Sequence, residues 1–426
     1  MAFLDFLRRK NGVPEGEQMT ESVPQGDVAQ ERDEGRAADG TGKRIGVEDI
    51  RKAAEVLKKY KRGKEALEAR VVEDELWWQQ RHWEVIRRAK KEDPGPEPTS
   101  GWLFNAIVNK HADAMDNIPE PVALPREQSD EESARVLSSV LPVVMETNRF
   151  EGVYDANWWE KLKHGTGAYG VFWNSRKENG LGDIDIKGLD LLKIFWEPGV
   201  RSIQASRNLF IVELVEEEVL DKQYPQYAGK MANRSIEVKE YLCGDEKDAE
   251  GKSLVVDWYY KVQNQAGKTV LHYAKFVGDV LLYASENDER YRERGFYDHG
   301  QYPVVLDVLF PEKDTPVGFG YVAICKNPQL YIDKLSANIM ETSMMGTKKR
   351  WFISSSTGIN KDQFLDWNEP FVEVEGELDE RRMKEITVGA PDGIYLSVMT
   401  QKIEEMKDTA SNRDVNSGGS AGFVFV

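Results

Sequence analysis

Apolar residues recur along this chain with two different periods, and the changes of period divide it. Residues 11–44 show neither period and carry no aromatic residue. Such a stretch cannot bury enough surface to offset its chain entropy, so 1–44 is expected to be a disordered N-terminal segment. Within it Met1–Lys10 sets Phe3, Leu4, Phe6 and Leu7 ahead of Arg8-Arg9-Lys10. That reads as a frayed terminus, or as a short amphipathic helix on a tether. Helical spacing begins near Val47 and continues through Ile50, Ala54 and Leu57. A second helical run holds Leu76, Trp77, Trp78, Trp83 and Ile86, and Asp93-Pro94-Gly95-Pro96-Glu97-Pro98 ends it. Further helices are expected from Trp102 towards Met115, from Gln128 to Asn148, and from Gly152 to His164.

The period then shortens to two. Gly170–Asn174 and Gly182–Lys187 read as paired strands, and Leu209–Val215 as a buried strand. Leu254–Val262, Val270–Phe276 and Val280–Tyr283 read as an antiparallel meander turning at Gly267 and Gly278. A short helix, Val219 to Tyr224, ends at Pro225. Residues 45–315 are therefore expected to form one mixed α/β domain.

Helical spacing returns in the last third. Asn327-Pro328 has the chemistry of a helix start, with Asn as cap and Pro at the first helical position. Ile332, Leu335 and Ile339 follow on one stripe, and Gly346 suits a stop, which gives a helix of about 28 Å. A compact insert contains Trp351, Trp367 and Val372-Glu373-Val374-Glu375-Gly376. A second helix follows Pro391, with Met399, Ile403 and Met406 on one stripe. The fold class is α+β, with two comparable helices flanking a small α/β insert.

Composition narrows the function. The 426 residues carry a formal net charge of −17, which repels nucleic-acid phosphate on average and argues against a chain that clings to DNA over its whole surface. No apolar run approaches the ~18 residues of a membrane span. The first ten residues have charge after a very short apolar stretch, the wrong order for a secretory signal. Two cysteines, Cys243 and Cys325, cannot build a disulfide framework, which suits a reducing interior.

The local motifs are weak as chemistry. Gly165-Thr166-Gly167-Ala168-Tyr169-Gly170 matches G-x-G-x-x-G, but a helix precedes it and a strand follows. Dinucleotide binding needs the reverse order, so this reads as a glycine-rich helix-to-strand turn. The five histidines show no ligand spacing, neither Cys lies in a C-x-x-C, and no metal or cofactor is expected. No spacing singles out an acid/base pair of carboxylates, and no enzymatic activity is expected. Trp77-Trp78 and Trp158-Trp159 could stack bases, but acidic neighbours favour packing in a core or an interface. Thr347-Lys348-Lys349-Arg350 is either a solvated cationic helix end or a docking patch for an acidic partner.

Three stretches together resemble the portal proteins of tailed bacteriophages. They are Lys163–Trp173 with Gly182–Ile186; Leu192–Val200 with Ile203-Gln204; and the helix–insert–helix, with Pro328–Asp333, Ile359-Asn360-Lys361 and Val372–Gly376. The resemblance covers roughly residues 50–418. It implies a homo-oligomeric ring, usually of twelve subunits, at one capsid vertex of the virion, assembled in the host cytoplasm. Double-stranded DNA would pass through the ring without sequence specificity. It implies a wing at 45–315, a stem helix at 316–347, a clip at 348–390 and a second stem helix at 391–412. The clip would dock the terminase large subunit and later head-completion or tail proteins, with Lys348, Lys349, Arg350, Trp351 and Trp367 as candidate contacts. Capsid and scaffold proteins are further expected partners, and no membrane. Lys334, Glu341, Lys402 and Glu405 are candidate channel-lining residues. The family's chain continues beyond the second stem helix, so 413–426 is expected to be a disordered or truncated tail. Two other readings stand beside this one: a metal-dependent DNA-processing enzyme of a mobile element, and an adaptor that caps a ring.

Overall fold

The computed structural model describes residues 44–87, 95–116, 118–232, 251–264, 267–347, 350–353, 383–386 and 393–410. The expected disordered segment up to residue 43, the tail 413–426, and Lys348, Lys349 and Trp367 lie outside the described residues. The chain divides into two compact units. One takes residues up to Val72 together with His111–Gly320, the other Glu73–Lys110 together with Tyr321 onward.

Helices come first in chain order: α1 (Val47–Trp78), α2 (His82–Arg87), α3 (Trp102–Met115), α4 (Glu131–Thr147) and α5 (Phe150–His164). Strands β1 (Thr166–Asn174), β2 (Asp183–Gly188), β3 (Ile194–Trp196) and β4 (Asn208–Glu216) follow, then α6 (Glu217–Gln223). Next come β5 (Lys252–Gln263), β6 (Thr269–Val277), β7 (Val280–Ala284), β8 (Val304–Val308), β9 (Phe310–Pro311) and β10 (Gly318–Phe319).

The first unit is built on a five-stranded antiparallel sheet of order β3-β4-β5-β6-β7 and a three-stranded one of order β2-β1-β8. Residues alternate across the larger sheet as a period of two requires. Phe210, Val212, Val256, Trp258, Ala274 and Phe276 face one side, where α1 covers them with Ile50, Ala53, Leu57 and Tyr60. Each fully buried side chain of this size contributes roughly 1.5–3 kcal/mol. The other side carries the cross-strand row Ile211, Asp257, Lys275 and Tyr283. There Tyr273 donates its hydroxyl to Asp257 at 2.6 Å, and Lys275 lies 3.2 Å from the same carboxylate. A second core joins Val71, Leu192, Ile194, Leu209, Leu271, Tyr302 and Val304.

The apolar stripe of α1 continues past Tyr60 into polar residues. Lys64 and Glu68 occupy the next two inward positions and are both buried. Lys64 donates to the carbonyls of Leu191 and Ile194 and lies over the rings of Phe195 and Trp196. Burial lowers its pKa to about 7. Glu68 lies 3.5 Å from Lys61.

Gly165 explains the glycine motif without a ligand. It ends α5 in the left-handed region, at φ +87°, and a β-carbon there would lie 2.2–2.4 Å from the backbone of Phe319. At Gly320 an added β-carbon would meet the carbonyls of Leu162 and Lys163 at 2.5 and 2.4 Å. The two glycines let the end of α5 and the β10 segment pass in direct backbone contact. A helix precedes the motif and a strand follows it, as expected.

Several elements differ from expectation, among them the first helix and strand β8. The runs around Val47–Leu57 and Leu76–Trp78 are one continuous helix of 32 residues, broken only at Gln79–Arg81, where Gln80 has φ +59°. Strand β8 lies outside the expected strands. Its run Val304-Val305-Leu306-Asp307-Val308 pairs with β1 from Thr166↔Val308 to Gly170↔Val304.

Candidate functional site

The second unit centres on two helices, α7 (Tyr321–Thr347) and α8 (Gly393–Thr409), with the hairpin β11 (Arg350–Ile353) and β12 (Met383–Ile386) between them in sequence. The expected start of the first helix at Asn327-Pro328 is corrected: α7 begins at Tyr321 and takes Pro328 into its interior. It runs 27 residues, about 40 Å at 1.5 Å per residue. Pro328 has no N–H to give the Ile324 carbonyl. Packing outweighs that loss, because Val322, Cys325, Gln329, Ile332 and Asp333 form one buried stripe at helical spacing. Ser336 and Met399 bring α7 and α8 together, with Oγ 3.5 Å from Sδ. Met406 and Ala410 are buried at the other end of α8.

Two positions of the α7 stripe are polar and anchor it. Asp333 is fully buried. It accepts the backbone N–H of Ser100 at 2.9 Å, the Ser100 hydroxyl at 2.6 Å and the Gln329 side-chain amide at 2.8 Å. Nε2 of His82 lies 3.1 Å from the other carboxylate oxygen, and Trp77 stacks on the imidazole at 4.7 Å. Gln329 accepts the N–H of Leu103 at 3.0 Å and donates to the Ser100 carbonyl at 2.6 Å. The Trp83 indole donates to the Pro98 carbonyl at 3.0 Å. The proline-rich stretch expected to end a helix thus ends in a segment fastened by side chains to α7. A buried carboxylate is tolerated only when its oxygens are met in this way.

The sequence-derived candidates fall into three groups. Lys334 and Glu341 are exposed on α7, two turns apart. Lys402 and Glu405 lie on α8 and pair with each other at 2.6 Å across one turn. Arg350 and Trp351 are in β11, in register with Ile386 and Glu385 of β12. The tryptophan doublets are engaged within the chain: Trp78 stacks on Phe104 at 4.8 Å, Trp159 on His111 at 3.7 Å, and Lys161 lies 4.2 Å above Trp158.

Sequence reasoning did not find His82, Ser100, Gln329 and Asp333 as a group. The one available signal was two polar residues at inward positions of an apolar stripe. Nor did it single out the apolar surface of the helix pair. Met340, Met344, Ile394, Leu396 and Tyr395 are 44–60 % exposed, and all lie close in sequence to the β11–β12 hairpin. Among the described residues no group of three or more His, Cys, Asp or Glu side chains could hold a metal ion, and no helix is long and apolar enough to cross a membrane.

An α+β body with antiparallel sheets, followed by a helix pair around a small hairpin, is the architecture that the resemblance implied. Residues 104–304, just under half of the chain, match the family model described as Phage P22-like portal protein, and over that span the chain is similar to the portal proteins of phages. These are structural proteins of the capsid vertex. No curated protein matches the chain.

Proposed function

We propose that the chain is the ring-forming subunit of a portal vertex through which double-stranded DNA is packaged and ejected. The observation that carries this reading is the helix pair α7 and α8 following a body that matches the portal family. In this reading 45–315 is the wing, 316–347 and 391–412 are the stem, and 348–390 is the clip. Lys334, Glu341, Lys402 and Glu405 are the channel-lining candidates, and a chain of net charge −17 suits a channel in which DNA slides rather than sticks. The exposed apolar residues Met340, Tyr395 and Leu396 of the helix pair support assembly, because apolar surface exposed in a monomer is covered by neighbours in a ring. Twelve copies are proposed, with terminase and head-completion or tail proteins docking on the clip, and capsid and scaffold proteins around the ring. Assembly takes place in the host cytoplasm.

Electron microscopy of the purified protein tests the reading. Rings with a central hole, and a matching cyclic mass in native mass spectrometry, are the expected outcome. A strictly monomeric species at tens of micromolar overturns it.

A further inference from the structure

The outer face of α1 carries a row of cations. Residues 44–64 hold eight Lys and Arg against three Asp and Glu, in a chain of net charge −17. Lys52, Glu55, Lys59 and Arg62 recur at i, i+3, i+7 and i+10 and so share one stripe. Lys58 stands beside it, four residues before Arg62. All five are exposed, while Ile50, Ala53, Leu57 and Tyr60 on the other side of the helix are buried on the sheet. The row spans about 15 Å from Lys52 to Arg62 at 1.5 Å per residue.

The fold does not use these cations. The neighbouring Arg51 is taken by Asp279, with bonds of 2.9 and 3.2 Å, Lys61 lies 3.5 Å from Glu68, and Lys64 is buried on two carbonyls. Among the described residues the side chains of Lys52, Lys58, Lys59 and Arg62 form no ion pair and no hydrogen bond. Glu197, whose charge reaches Lys59, is itself held by Arg207 at 3.1 Å. Like charges one helical turn apart repel, so the row weakens the helix that carries it.

The chemistry of the face selects its partner. From Glu48 to Ala66 every exposed residue is charged except Gly63 and Ala66. A protein partner is met with aromatic or aliphatic anchors, and lysine is depleted from such interfaces. This face offers no anchor. A single strand is held by stacking its bases on exposed rings, and the one ring of this stretch, Tyr60, is 4 % exposed. No Asn or Gln lies between Glu48 and Ala66 to read a base edge. A line of Lys and Arg with neither anchor nor reader fits the phosphate backbone of a duplex, which presents one negative charge per ~1.7 Å of its axis.

We infer that the outer face of α1 binds duplex DNA by its phosphates, through Lys52, Lys58, Lys59 and Arg62, without reading sequence. This contact is distinct from the proposed channel: these four residues belong to the first unit, and Lys334, Glu341, Lys402 and Glu405 belong to the second. It rests on the charge pattern and not on ring formation.

Fluorescence anisotropy of a short labelled duplex of mixed sequence, titrated with the full chain across a salt series, tests this. Four phosphate contacts give a slope of log Kobs on log salt of about −3.6, a loss of roughly a hundredfold in affinity between ~50 and ~200 mM salt. The variant Lys58→Gln, Lys59→Gln, Arg62→Gln should bring the slope to about −0.9 and that loss to roughly threefold, and should melt with the parent because the three side chains are exposed. A control, Lys222→Gln with Lys230→Gln, exposed elsewhere in the first unit, should keep the parent's slope. Duplexes of unrelated sequence should bind alike. No duplex binding at ~50 mM salt, a slope that the triple variant does not reduce, an equal reduction in the control, or tighter binding of polyglutamate or single-stranded DNA than of duplex each overturns the inference. The substitutions leave the stem residues in place and ring formation is read separately by native mass spectrometry, so failure here leaves the portal reading untouched.

Discussion

Replacing Asp333 by alanine is the sharpest test of what holds α7 in place. The substitution removes an acceptor that meets the N–H and the hydroxyl of Ser100, the Gln329 amide and the edge of His82. Gln329 keeps its bond to the Ser100 carbonyl, so its amide is not stranded. The backbone N–H and hydroxyl of Ser100 lose their acceptor. Each buried donor left without a partner costs about 1–3 kcal/mol, and the carboxylate's removal leaves a small void. Relief from desolving a charged group offsets part of this. The expected net loss is about 3–4 kcal/mol, which accelerates sub-global exchange of α7 amides by roughly 200- to 900-fold. Asp333→Asn keeps the shape and the oxygen facing Ser100 but sets an amide against Gln329 and His82, and about half the loss is expected. Hydrogen exchange resolved to residues 329–340 is the assay, because it reads the second unit separately from the first. If Asp333→Ala changes exchange there by less than threefold, the network is not an anchor and the reasoning fails.

Lys64→Met tests the buried amine under α1. Its pKa falls from the ordinary 10.5 to about 7 on folding, so between those values the unfolded chain holds a proton that the folded chain has released. Stability therefore rises with pH across that window, by roughly 3 kcal/mol between pH 7 and 9.5. The variant should lose this rise in denaturant melts, and parallel pH profiles would falsify the assignment. Gly165→Ala should cost more than about 3 kcal/mol, since it adds a β-carbon against the Phe319 backbone at positive φ; soluble yield and melting midpoint check it. Met340→Ser with Leu396→Ser should leave monomer stability within about 0.5 kcal/mol and weaken ring assembly, read by native mass spectrometry across a dilution series.

The sheets were legible because their signals are local. In β4 to β7 a clean period of two is punctuated by Gly267 and Gly278, both of which take positive φ, and the expected strands agree with those formed to within about two residues. Helices were legible where a stripe lies inside one run, as with Gln128–Asn148. They were misread where a strong local signal competed with packing. Asn327-Pro328 is a good helix start taken alone, yet burial of Val322 and Cys325 carries α7 a further turn and a half and more towards the N-terminus. Strand β8 was passed over although its β-branched run after Pro303 carried the signal. A five-residue edge bounded by proline is short, and its partner β1 lies some 140 residues earlier.

The candidate site was legible only as a family pattern, and the reason is geometric. His82, Ser100 and Asp333 meet across more than 200 residues of chain, and no spacing rule links positions that far apart. What the sequence does carry is the anomaly on each stripe: Lys64 and Glu68 on α1, Gln329 and Asp333 on α7. A polar residue at an inward helical position is unfavourable unless something meets it. Glu68 is met from its own helix by Lys61, whereas Lys64 and Asp333 draw partners from other elements. For Lys64 it is a pair of carbonyls at the end of β3 and the turn before it. For Asp333 it is the Ser100 segment that follows the proline run. Because those partners are backbone groups or small side chains in irregular segments, they leave no periodic trace of their own. An apolar residue at either position would tolerate a sliding neighbour, whereas a carboxylate with three donors fixes one register. That fixity is why the Asp333 network, rather than the exposed charges on α7, is the place where a single substitution should disturb the second unit most.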